Sequence, residues 1–124
     1  MIALLGATAM FLAGFQASIN APTDAFRACL RDATTKATSE KVAGTAYEAY
    51  ARNACAAQMT ALKSAVVAFR IKNGMARKAA AVDADMTVDD YVATSVDKYQ
   101  FFAEMNSKQQ TPASQPTPPQ PKQQ

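Results

Sequence analysis

The chain contains no histidine and no tryptophan, only four glycines and only two cysteines. Each scarcity excludes something. Without histidine, neither a Ser-His-Asp nor a Cys-His nucleophilic arrangement can be built, and the one side chain that ordinarily titrates near neutral pH is missing. Zinc sites with imidazole ligands are excluded, and two cysteines cannot make a site of four thiolates. With so little glycine there is no phosphate-cradling loop and no GxGxxG turn. The residues point away from an enzyme, with no metal and no cofactor to be expected.

Net charge is scarce too, at +3, which is too little to argue for nucleic acid. Its distribution says more. Residues 27–78 hold ten Lys and Arg against three Asp and Glu, whereas residues 83–104 hold six Asp and Glu against one Lys. The plain expectation is that the basic part and the acidic part pack against and complement each other. The sharper one is a basic face toward an anionic surface. The cluster that would serve it is Arg70, Lys72, Arg77 and Lys78, although Arg70 and Lys72 also suit the C-terminal end of a helix.

At the front, "MIALLGATAMFLAGFQASINAP" carries no charged side chain before Asp24. An apolar run of this length suits the core of a signal peptide and is short for a membrane span. Residues 1–21 therefore read as a signal peptide or an N-terminal anchor, and the expected location is periplasmic or secreted. No Lys or Arg precedes the run, and "FLAGF" at 11–15 resembles a bacterial lipobox with Phe15 where the lipid-bearing cysteine would stand. At the other end, residues 107–124 are nearly all Gln, Pro, Ser, Thr and Lys. Such a segment cannot bury a core and reads as a disordered tail of extended, polyproline-like character.

Between them lies a helical domain, 22–106. Alanine is abundant and β-branched residues are thinly spread, which favours helix. Phe26, Cys29, Leu30, Ala33 and Ala37 repeat at the spacing of one helix face, giving a first helix over about 22–41. "VAGT" at 42–45 breaks it. Thr45 and Glu48 form a capping-box pattern for a second helix over 46–73, with the seam Cys55, Met59, Leu62, Val66, Phe69, closed by Asn73-Gly74. A short basic helix over 75–82 follows. Thr87 and Asp90 then resemble a cap for a last helix over 88–106, whose apolar face is Val88, Tyr91, Val92, Ser95, Tyr99 and Phe102.

The two cysteines acquire a meaning from this layout. Two helices joined by about three residues lie antiparallel. Cys29 is 13 residues before Val42 and Cys55 is 10 residues after Thr45. They therefore stand within about one turn of each other across the hairpin, at 1.5 Å rise per residue, and can form a disulfide. The fold expected is all-α, an antiparallel helical hairpin or small three- or four-helix bundle with a Cys29–Cys55 staple. The oxidising compartment implied by the front end agrees.

"DADMTVDD" places Asp83, Asp85, Thr87 and Asp89 at the odd positions of a calcium loop, but Val88 and Thr94 occupy the places of its glycine and bidentate glutamate. Tyr47, Tyr50, Tyr91 and Tyr99 read as packing residues with hydrated hydroxyls. The repeated LTxxQ-type motifs of small bacterial envelope-stress chaperones are absent, so nothing of that group is carried over. What is expected is a non-catalytic protein that works by contact with an envelope protein. The alternative is a peripheral binder of anionic envelope surfaces through its basic cluster. The stripe on the second helix would also allow a homo-oligomer.

Overall fold

A computed structural model describes residues 18–110. The expected signal-like segment up to 17 and the tail from 111 onward lie outside the described residues. Four α-helices follow in order: α1 (Asn20–Ser39), α2 (Tyr47–Ala54), α3 (Ala56–Lys72) and α4 (Arg77–Gln110), with a 3₁₀ turn over Gly44–Ala46. No strand occurs among the described residues.

Helix α1 forms as its pattern predicts. Phe26, Leu30, Ala33 and Ala37 are buried, and Cys29 lies partly covered beside them. Pro22 sits in the first turn, where its missing N–H is not needed. The helix ends where Lys41 adopts a positive φ of 55° and the Val42 N–H returns to Ala37 O at 2.9 Å, a C-terminal wrap of the kind that satisfies the last carbonyls.

Two boundaries differ from expectation. The second helix is divided at Cys55, whose φ and ψ of −109° and 20° depart from helical values. Hydrogen bonding nevertheless continues through it, with Cys55 N–H on Ala51 O and Met59 N–H on Cys55 O. The result is a local bend at Cys55, between α2 and α3. The Thr45–Glu48 cap does not form: α2 begins on a 3₁₀ turn without a side-chain cap, and Glu48 instead pairs with Arg52 at 3.0 Å.

The second correction is larger. Instead of a short helix, a break and a last helix, α4 is one rod of 34 residues, about 50 Å long at 1.5 Å per residue. The Thr87 hydroxyl does not cap; it donates to Asp83 O one turn back, at 2.8 Å. Continuity has a packing cause: Ala80, Ala84, Val88 and Val92, spaced by four, are all buried along one line. That stripe crosses the expected break, and burying it outweighs the weak helix propensity of the Asp, Thr and Val residues there. The helix also runs past residue 106, through Gln110.

Asn73-Gly74 closes α3 as expected. Gly74 has a φ of 93°, a left-handed conformation natural only to glycine, and Asn73 Nδ2 donates to Phe69 O at 2.7 Å. This turn folds α4 back antiparallel to α3. Helix α1 packs antiparallel to α2, so α1 and α4 point the same way. Phe26 meets Tyr91 edge-on at 6.2 Å, and Tyr99 hydroxyl donates to Val42 O at 2.5 Å.

The Cys29–Cys55 disulfide is present. Its Cα atoms are 5.9 Å apart and it closes a separation of 26 residues. Such a closure contributes about 3–4 kcal/mol in the chain-entropy account, a large share for a domain of this size.

Candidate functional site

The charged residues sort into two groups. Among the described residues the ion pairs are Lys36–Glu40, Arg52–Glu48, Arg52–Asp89, Lys63–Asp85 and Arg70–Asp83. The last three join α2 and α3 to α4. Asp83, Asp85 and Asp89 are thus spoken for by cations on the facing helices, at 2.6, 2.8 and 2.9 Å respectively. The calcium-like spacing therefore lies on a continuous helix, and among the described residues no cluster of three or more His, Cys, Asp or Glu could hold a metal ion. The Arg52 guanidinium illustrates the balance. Burial pulls its pKa down, but hydrogen bonds to Asp89 and Glu48, together with their charges, hold it above its ordinary value.

The basic cluster is divided by this pairing. Arg70 Nε donates to Asp83 Oδ2 at 2.6 Å, and its guanidinium lies 5.9 Å from the Phe69 ring centre. Lys72, Arg77 and Lys78 remain exposed at the α3–α4 turn, in none of the ion pairs, with Met75 also exposed there. Three of the four cations thus gather at one end of the bundle.

The tyrosines do more than pack. Tyr47 is wholly buried, and its ring stacks on Tyr99 at 4.1 Å and 11°. Its hydroxyl lies 2.7 Å from both Thr34 Oγ1 and Ser95 Oγ, tying α1, α2 and α4 together. The expectation of hydrated hydroxyls therefore fails for Tyr47 and Tyr99. Burial raises the Tyr99 pKa above its ordinary value, with the neighbouring Tyr47 adding to the shift. Tyr50 donates to Glu40 at 3.1 Å.

Directly outside the Tyr47 network, a groove of about 450 Å³ opens between α1 and α4. Sequence reasoning did not find it. Leu30, Tyr91 and Phe102 supply apolar lining; Thr34, Thr35, Thr94 and Ser95 supply hydroxyls; Arg27, Arg31 and Lys98 supply charge. No carboxylate lines it, and none of its three cations takes part in an ion pair among the described residues. The signal was present as Arg27 and Arg31, one turn apart on α1, but only the parallel placement of α4 brings Lys98 to the same space.

A third feature is the C-terminal stretch of α4. Beyond Gln100, whose Nε2 donates to Gly44 O at 3.3 Å, the helix continues for ten residues. Phe101 and Phe102 are 59% and 58% exposed, their rings 5.7 Å apart, and Met105 is exposed beside them. Phe102 was expected on the buried face; it instead lines the open space between α1 and α4 and stays exposed.

Comparison with protein-family models, with curated proteins and with solved structures finds no match. What defines the class is the architecture itself: across the described residues, a disulfide-stapled, all-α arrangement of four helices. Among the described residues no helix is long and apolar enough to cross a membrane.

Proposed function

We propose that this is a non-catalytic helical protein of the periplasm or another oxidising space, acting by contact with an envelope protein. The observation that carries the reading is the pair of exposed rings, Phe101 and Phe102, with Met105, on the far end of α4. The other large aromatic residues among those described are buried or half-buried. Adjacent exposed aromatic residues on a rigid helix are the kind of anchor that dominates protein interfaces. The disulfide supports the compartment, since such links persist where thiols are not kept reduced. The test places a photo-crosslinking amino acid at Phe101 and, as a control, at the exposed Ala93, in cells of the source organism. A discrete heavier adduct from position 101 alone is expected. No adduct at 101, or equal adducts at both positions, overturns the proposal.

A second reading, contact with an anionic envelope surface, keeps one favouring observation. Lys72, Arg77 and Lys78 stand at the α3–α4 turn beside exposed Met75. Sedimentation with anionic liposomes at low salt and at about 0.5 M salt separates the cases. Absence of binding at low salt ends this reading, and binding that survives high salt is not electrostatic.

A further inference from the structure

The groove between α1 and α4 combines features that folding alone does not call for. Elsewhere, where cations face α4, each meets a carboxylate: Arg52 with Asp89, Lys63 with Asp85, Arg70 with Asp83. In the groove Arg27 and Arg31 of α1 and Lys98 of α4 line one space, and no Asp or Glu lines it. Like charges placed along one space repel, and an anion from outside is the complement that this lining lacks. The remaining lining narrows the chemistry. Tyr91 and Phe102 mark positions on α4 eleven residues apart, about 16 Å along the helix at 1.5 Å per residue, with Leu30 on the opposite wall. The space is therefore elongated and partly apolar, which suits an extended chain better than a compact ion. Its volume of about 450 Å³ falls within the usual range for small-molecule sites. The polar groups available are guanidinium, ammonium and hydroxyl groups, which can all donate to acidic oxygens.

We infer that the α1–α4 groove binds a single-chain anionic amphiphile, with its acidic head among Arg27, Arg31 and Lys98 and its chain along Leu30, Tyr91 and Phe102. Arg27 and Arg31 form the α1 wall of the head site and Lys98 the α4 wall. Thr34, Thr35, Thr94 and Ser95 offer further hydroxyl donors along the same two walls. The inference shares Phe102 with the proposed protein contact but needs no second protein and is tested on the purified chain, so the two fail separately.

The experiment titrates the full, disulfide-intact chain with dodecanoate below its micelle concentration, followed by calorimetry and by amide NMR. Dodecyl maltoside and dodecyltrimethylammonium serve as neutral and cationic counterparts of the same chain length. Saturable one-to-one binding of dodecanoate is expected, with shifts centred on residues 27–35 and 91–102 and weakening in about 0.5 M salt. The double variant Arg31→Gln/Lys98→Gln should weaken it by about tenfold or more. Thr94→Trp, which fills the groove without removing a charge, should weaken it as well, and a melting curve establishes that each variant is folded. Anionic phospholipid vesicles form a separate arm that distinguishes a bilayer headgroup from a free amphiphile. Equal binding of the neutral or cationic detergent, binding indifferent to both folded variants, or binding to vesicles without binding to monomeric dodecanoate overturns the inference.

Discussion

The two flanks of α4 are built from similar materials and end differently. Toward α2 and α3, Asp83, Asp85 and Asp89 meet Arg70, Lys63 and Arg52, and the stripe Ala80, Ala84, Val88, Val92 lies buried behind them. Toward α1, the helices touch through Phe26–Tyr91 and the Tyr47 hydroxyl network, and then a groove opens whose cations have no carboxylate among them. Small buried residues allow close helix approach on the first flank. On the second, aromatic residues and a hydroxyl network hold the helices together at fewer points. One flank therefore fixes register, while the other leaves room and charge that its own fold does not use.

The largest expected effect breaks the weaker flank. Cys29 fastens α1 to the bend at Cys55, so the staple secures the α1 wall of the groove. Replacing both cysteines by alanine should lower stability by about 3–4 kcal/mol, read by denaturant unfolding. Hydrogen exchange should then show α1 amides losing protection before those of the α3–α4 hairpin. Uniform loss across all four helices would mean that the two flanks are not separable.

Next in size is the hydroxyl that bridges the flanks. Tyr47→Phe keeps the ring stacked on Tyr99 but removes the oxygen shared by Thr34 and Ser95, and should cost about 1–2 kcal/mol. The stacked pair also carries a pH signature. The native state holds the Tyr99 proton more tightly than the unfolded chain does. Its contribution is therefore complete below the ordinary tyrosine value of about 10, and is lost as pH rises through the higher folded value. Tyr99→Phe should flatten that alkaline decline, measured as the denaturant midpoint between neutral and strongly alkaline pH.

How much of this was legible in the residues differs by flank as well. The apolar faces of α1 and α3, the Asn73-Gly74 stop and the disulfide could be read because each depends on local spacing or on one short connection. The complement between a basic front and an acidic back was visible as charge, and α2–α4 and α3–α4 ion pairs realise it. The continuity of α4 was not read, because Thr87 and Asp90 look like a cap locally, while the buried line from Ala80 to Val92 that overrides them acts through tertiary packing. The bend at Cys55 has no Gly or Pro to announce it. The groove needed α1 and α4 to lie parallel, a consequence of two turns and a bend that no single segment encodes.

The smallest effects sharpen the contrast most. Removing a cation from the paired flank, by Lys63→Gln or Arg70→Gln, leaves Asp85 or Asp83 without its partner. These pairs are partly exposed, so each loss should be about 0–1 kcal/mol, toward destabilisation. Removing a cation from the groove, by Arg31→Gln or Lys98→Gln, takes away like-charge repulsion and no ion pair. Stability should hold or rise by a few tenths of a kcal/mol, on the scale of exposed like-charge pairs. The opposite signs are what matter, and low salt enlarges both. If the groove substitutions destabilise as much as the α3 substitutions, Arg31 and Lys98 belong to the fold, and the surplus of positive charge between α1 and α4 is structural, with no anion to await.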